Sequence, residues 1–337
     1  MLRKIVFLAL SLLILAALII VSAASGTIRI PFKDVLSVLI LFDRTGFGRV
    51  IWDVRMPRIL AALLVGAGLS LSGTVMQSVL RNPLASPYTL GLSSAAAFGA
   101  SFAIVFLGAG TGTTSTIIIS NPWTVTFSAF FFSILSTAAI LILTVLTRIS
   151  AESMILAGIA LGSLFSAGLT LLQYLADSVQ LASILAWTFG DLGRAYRQSL
   201  IITALALFPV SFLFLLYRWD FNALDTGEET AKGLGIRTGA IRIVGMTTAS
   251  LLSAVIVSFF GTIAFLGLLA PHITRKILGG DHRFLLTASP LTGAILLLGA
   301  DTAARTLFSP MVLPVGIVTS LFGGPLFIYL LILRGKK

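Results

Sequence analysis

Asp301 and Arg305 stand four residues apart, Arg55 and Arg58 three apart, and Glu228 and Glu229 side by side, in a chain with few other charges. Groups of this kind pair with one another, cap helices and meet charged partners. Nucleophilic and metal chemistry have less to work with. There is no cysteine and only two histidines, His272 and His282, so a thiolate centre is excluded and a histidine cage is not expected. The phosphate-loop, zinc-protease and nucleophile-elbow spacings are absent as well. No catalytic residue, metal site or bound cofactor is assigned to the chain, and any ATP-driven step would belong to another subunit.

The charged groups must be positioned by apolar elements. Of 337 residues 57% are hydrophobic and 10% charged, with a mean hydropathy of +1.06. A soluble domain carries about 25% charged residues, so the composition predicts an all-α polytopic membrane protein forming one domain over 1–337. A crossing takes about 20 apolar residues. Ten candidate spans follow, at 5–24, 59–80, 88–107, 123–147, 153–174, 199–217, 241–260, 261–274, 284–304 and 315–333. The eighth is short enough to be re-entrant. The first begins Arg3-Lys4 and ends in small residues like a secretory signal, but its apolar run exceeds the usual 7–15 residues, which favours a retained helix. Ten crossings put both termini on one side with fourteen of the 23 basic residues, Arg148, Lys336 and Lys337 among them. The positive-inside bias makes that side cytoplasmic. The net charge of +11 therefore reports orientation, not nucleic-acid binding.

The longest polar interval, 221–236, reads as a short capped helix over about 226–234. Thr226 is the expected N-cap with Glu229 three residues on, a capping-box spacing. Glu228 and Glu229 suit the positive end of the helix dipole and Lys232 the negative end. Gly233 and Gly235 are expected as left-handed stops. Such a helix in a membrane protein suggests presentation to a partner. At the other end of the spans, Pro57 suits a first helical position and puts Arg58 in the first turn. Arg55, Arg58 and Arg305 are read either as interfacial arginines or as a basic patch for an acidic partner. Asp301 is expected to pair with Arg305 at i,i+4. Asn82 and Pro83 mark a tight turn, and Pro271 a helix break before His272. Gln77 and Gln173, amides inside spans, either bond between helices or line a path. Gly158, Gly162 and Ser166 share a face suited to close helix packing.

RMPRILAALLVGAGLSLSGTVMQSVLRNPLASPYTLG at 55–91, ILAGIALG at 155–162, GEETAKGLGI at 227–236, GTIAFLGLLAPHITRKILGGDHR at 261–283 and LPVGIVTSLFGGPLFIYLL at 313–331 together resemble the FecCD-type permease subunits of ATP-binding-cassette importers for iron chelates, haem and cobalamin. The resemblance implies a type II importer architecture of about ten transmembrane helices per subunit in the cell (inner) membrane. It further implies a homodimer around a central path, two cytoplasmic ATPase subunits that use ATP and Mg, and an extracytoplasmic substrate-binding protein. By the same resemblance Arg55, Arg58 and Arg305 dock the binding protein. Thr226, Gly227, Glu228, Glu229, Ala231, Gly233 and Gly235 form the coupling helix that docks on the ATPase. Asn82, Pro83, Pro271 and His272 are structural at the cytoplasmic side, and Gln77 and Gln173 lie along the translocation path. Ferric siderophore, haem, cobalamin and molybdate all fit as cargo. The residues alone also leave open a proton-coupled transporter with Asp301 as relay, and a membrane receptor or scaffold.

Overall fold

The computed structural model describes residues 1–26, 28–113, 116–119, 121–146 and 150–335. Arg148, Lys336, Lys337 and the last residue of the fourth expected span lie outside them. Fifteen helices follow in chain order among the described residues: α1 (Leu2–Ala24), α2 (Phe32–Leu41), α3 (Phe47–Arg49), α4 (Met56–Val79), α5 (Leu92–Phe106), α6 (Pro122–Leu146), α7 (Ala151–Leu175), α8 (Ser178–Thr188), α9 (Arg197–Leu216), α10 (Arg218–Thr226), α11 (Glu228–Gly233), α12 (Thr238–Phe260), α13 (Leu266–Leu278), α14 (His282–Thr306) and α15 (Val315–Gly335). The fold is all-helical apart from one small antiparallel hairpin, β1 (Gly110–Thr113) with β2 (Thr116–Ile119).

Among the described residues, seven helical stretches are long and apolar enough to cross a membrane: α1, Phe47–Val79, α6, α7, α9, α12 and α14. Each corresponds to an expected span, and α5, α13 and α15 account for the other three. The doubtful eighth span opens with non-helical residues 261–265 and continues as α13, whose 13 residues rise about 20 Å, short of the roughly 30 Å of hydrocarbon. The short helices α2, α3, α8 and α10 and the hairpin were not foreseen. Their apolar runs are too short to register as spans.

α4 is the centre of the molecule. Almost every residue from Val65 to Val79 is buried, because α9, α12, α13 and α14 surround it. Lipid is as apolar as leucine, so close packing, not water exclusion, must hold these helices together. Glycines supply the approach. A methyl group on Gly66 would lie 2.5 Å from the Gly293 carbonyl of α14, and one on Gly73 would overlap the Gly267 carbonyl of α13. Between these contacts Ser70 Oγ donates to the Ser289 carbonyl at 2.7 Å, and Thr74 Oγ1 lies 3.0 Å from Ser289 Oγ. A second layer joins α5 to α6, α7 and α8. There Gly158 and Gly162 of α7 meet Leu90 and Gly91, and Ser166 Oγ donates to Ser94 Oγ at 3.1 Å, the face expected from the small-residue spacing.

The expected break at Pro271 is absorbed, as is a second proline near the C-terminal end. Pro271 lies inside α13 and Pro325 inside α15, so neither breaks its helix. Pro57 is not a helix start, since the helical stretch begins at Phe47 and passes through a π-helical turn, Val50–Arg55, into α4. A π-turn already rearranges backbone hydrogen bonds, which accommodates the proline without a break.

Candidate functional site

Two charged clusters sit at opposite ends of α4. The proximal end is the one that holds the chain's N-terminus: Lys4 Nζ lies 3.6 Å from Asp281 Oδ2, and Asn222 Nδ2 donates to Asp281 Oδ1 at 3.1 Å. The start of α1, α10 and the α13–α14 turn therefore share that end, along with α11. The distal end holds Arg58 and Asp301.

At the distal end Asp301 of α14 is fully buried and carries two cations. Arg58 Nε donates to Oδ1 at 2.7 Å, and Arg305 Nε donates to Oδ2 at 3.0 Å, the expected i,i+4 pair. Arg58 Nη2 also lies 3.1 Å from Asp191 Oδ1 in the loop after α8. Arg305 Nη2 donates to Ser22 Oγ at 2.6 Å and Nη1 to the Ser25 carbonyl at 3.1 Å, while Arg55 donates to the Ala23 and Ile28 carbonyls. Arg55, Arg58 and Arg305 thus do come together, but they point inward. Burial leaves no water to solvate a guanidinium, so each has turned to a carboxylate or carbonyl. The result is a clasp joining α1, α4, α14 and the loop after α8. Exposed basic residues near this end include Arg29, Lys33, Arg44 and Arg49, around α2 and α3, and Arg197 at the start of α9.

At the proximal end the polar interval folds as two helices, not one. α10 runs through Thr226, whose hydroxyl donates to the Ala223 carbonyl at 2.8 Å, so the Thr226–Glu229 capping box is not made. Gly227, at φ 131°, takes the N-cap of α11 instead, a conformation that suits only glycine. Gly233 remains helical, and Gly235 (φ 81°) alone makes the stop. Ile236 N–H donates to the Ala231 carbonyl and Gly235 N–H to that of Lys232, which is a Schellman closure.

Two carboxylates fasten this unit to the body. Glu228 Oε2 accepts from Arg242 Nη2 at 2.9 Å, and Glu228 Oε1 lies 3.2 Å from Lys232 Nζ. Arg242 is 2% exposed, and its Nε donates to the Val79 carbonyl at the end of α4. Asp225 accepts from Ser78 Oγ of α4 at 2.7 Å and from Arg275 Nη1 of α13 at 3.1 Å, with His282 Nε2 of α14 at 3.0 Å. Ala231 faces inward and is fully buried, leaving Glu229, Thr230, Lys232, Gly233 and Leu234 outside. Arg242 and Asp225 carried no assignment from the sequence. A lone arginine one turn into an apolar helix was the available signal for the first.

These carboxylates are held below the ordinary range of about 4. For Glu228 the Arg242 hydrogen bond is the main cause, and for Asp281 the Arg283 hydrogen bond. For Asp225 burial is the largest influence and pushes upward, but the His282, Arg275 and Ser78 contacts together outweigh it. A lowered folded value adds stability above the unfolded value and loses it as pH falls through the folded one. Unfolding temperature is therefore expected to hold from neutral pH to about pH 4 and to drop below that. Asp225→Asn should flatten part of the drop, and an acid-insensitive parent would contradict these pairings.

The remaining residues are placed less centrally. Gln77 is buried, 4% exposed, and its amide nitrogen has no hydrogen-bond partner among the described residues. Gln173 is half-buried on α7, whose exposed residues include Ser163, Ala167 and Thr170 among larger apolar ones such as Leu156, Leu164 and Leu171. Asn82 Oδ1 accepts from Leu84 N–H at 2.9 Å in the turn after α4, next to Pro83. The His272 ring packs edge-on to Phe327 at 6.1 Å.

The FecCD transport family matches residues 13–333. An ABC transporter permease protein of Methanocaldococcus jannaschii is 47% identical over 99% of this chain and 96% of its own length. The hemin transport system permease of Yersinia pestis is 35% identical over 97% and 95%. Other relatives are named for Fe(3+)-citrate, vitamin B12 and molybdate import. A metal-chelate type ABC transporter solved in an inward-facing conformation superposes with a TM-score of 0.83 at 32% identity, over 98% of this chain and 99% of that one. With a fold, a family match and relatives in agreement over nearly its whole length, the chain belongs to the FecCD transport family and is an ABC transporter permease.

Proposed function

We propose that the chain works as one half of a homodimeric importer that passes a metal chelate, or a related compact anion or cofactor, across the cell membrane by alternating access. Relatives named for hemin, Fe(3+)-citrate, vitamin B12 and molybdate set that range of cargo. The proximal end faces the cytosol, with both termini on that side. Two ATPase subunits bind there and hold the ATP and magnesium, so this chain binds neither. A binding protein delivers cargo at the distal end. Because the arginine clasp points inward, the exposed Arg29, Lys33, Arg44 and Arg49 are the better candidates for its acidic contacts. Each such contact is worth about 0–1 kcal/mol, and a dimer multiplies the set.

One observation carries this reading: α11 presents a compact exposed face, yet the α10–α11 unit is fastened through Asp225 and Glu228 to α4, α12, α13 and α14. A push on that face reaches the transmembrane helices without slack. Leu234, 67% exposed at the end of α11, is the apolar contact a partner would cover. In a reconstituted complex Leu234→Asp is expected to lower ATP-driven uptake at least about tenfold, a loss of roughly 1.4 kcal/mol of coupling, while the permease stays folded. Unchanged uptake removes the coupling face. An Asp301 proton relay is less well supported, since that carboxylate is occupied by Arg58 and Arg305 and closed to solvent.

A further inference from the structure

Away from α11, the proximal end gathers four cations and two aromatic rings where α1, α10 and α14 meet. The Arg283 guanidinium lies over the Trp219 indole, 4.7 Å from its centroid, and Lys4 Nζ lies 3.9 Å from the centroid of Phe284. Asp281 Oδ2 is shared between them, 2.7 Å from Arg283 Nη2 and 3.6 Å from Lys4 Nζ. Arg3 and Arg218, the chain neighbours of Lys4 and Trp219, are both exposed. The acidic residues here are Asp281 and Asp220, so four cations face two carboxylates and two positive charges remain. Asp281 is already spent on Arg283, Lys4 and Asn222.

What lies beside the cations decides the ligand. Leu2, Ile5 and Val6 of α1, which flank Arg3 and Lys4 in the chain, and Leu216 of α9, two residues before Arg218, are exposed and apolar. Trp219 is itself 56% exposed. Indole rings favour the depth at which headgroups meet hydrocarbon, and a guanidinium fork matches phosphate oxygens. A free phosphate would satisfy the charges and leave the apolar wall unused. A soluble partner would meet a wall that faces lipid.

We propose that this corner binds the phosphodiester headgroup of an anionic phospholipid, with Arg283 and Lys4 on the phosphate, Arg3 and Arg218 flanking it, and the acyl chains along α1 and α9. The Asp281 contacts hold Arg283 and Lys4 in place for it. The site is separate from the α11 face and needs neither ATP nor cargo.

The test uses the full-length permease, purified in detergent and examined by native mass spectrometry with added phosphatidylglycerol or phosphatidylcholine. The parent should retain phosphatidylglycerol preferentially. Arg283→Ala with Lys4→Ala should weaken that retention about five- to tenfold per charge removed. Arg237→Ala with Lys276→Ala, exposed cations at the same end without the rings, should leave it unchanged. Because Arg283 and Lys4 also tie α1 to the body, Arg3→Ala with Arg218→Ala repeats the test at side chains that hold no ion pair. Equal retention of the two lipids overturns the proposal, and so does an equal loss in the control pair. Displacement of the lipid by inorganic phosphate would assign the corner to a free anion, and protection only on adding the ATPase subunits would assign it to protein. Either result also overturns it.

Discussion

Asp301→Ala is expected to destabilise the folded chain by about 3–5 kcal/mol, the loss usual when one member of a buried ion cluster is removed. Its carboxylate is the shared acceptor for Arg58 Nε and Arg305 Nε, and it has no exposed surface. Without it two guanidiniums remain buried with no carboxylate to pair with, and the Arg305 side chain that bonds Ser22 and Ser25 at the end of α1 loses its anchor on α14. A drop in unfolding temperature in detergent, with earlier proteolysis after α1, would report this. The design has an internal check. Removing all the charges together, as Asp301→Leu with Arg58→Met and Arg305→Met, should recover most of the loss, because a buried ion cluster and an apolar one of similar volume are close in stability. If Asp301→Ala unfolds like the parent, the clasp does not hold the distal end together.

Gly73→Ala should also destabilise the chain, for a different reason. The added methyl would fall on the Gly267 carbonyl, so backbone meets backbone and no side chain can rotate away. α4 and α13 would have to separate, at about 1–3 kcal/mol for a single methyl and more for Gly73→Leu. Gly299→Ala, in the same bundle with nothing within 4 Å of the added atom, should stay within about 0.5 kcal/mol of the parent. Comparable unfolding temperatures for Gly73→Ala and Gly299→Ala would mean that the α4–α13 approach is looser than described.

Hydropathy and length made the long spans legible, because about 20 apolar residues have few alternatives to crossing a membrane. The same measure passed over α2 and α8, which are apolar but half that length. Local capping rules located the 221–236 interval and then misassigned its boundary. They saw Thr226 as a start, while the helix before it kept Thr226 as an end, and only the tertiary bonds of Asp225 and Glu228 fix that choice. The i,i+4 pair of Asp301 and Arg305 lay within one helix and could be read directly. Arg58 reaches Asp301 across 243 positions, and Arg242 reaches Val79 across 163, so no local pattern held them. For the arginines the residue types identified a cluster, but which way they faced depended on neighbours the sequence does not order.

α4 is one rigid rod with the clasp at its top and the Ser78–Asp225 bond at its foot, twenty residues or about 30 Å below. Tipping such a rod by ten degrees swings its upper end sideways by about 5 Å, more than any salt bridge tolerates. α14 must tip with it, since the two are wedged glycine to glycine and share Asp301. Of the contacts beside them, the Arg305 bonds to Ser22 are buried, while Arg58 against Asp191 is partly open to solvent and so the easiest to part. A stroke delivered from below would be felt first as the loosening of that single contact.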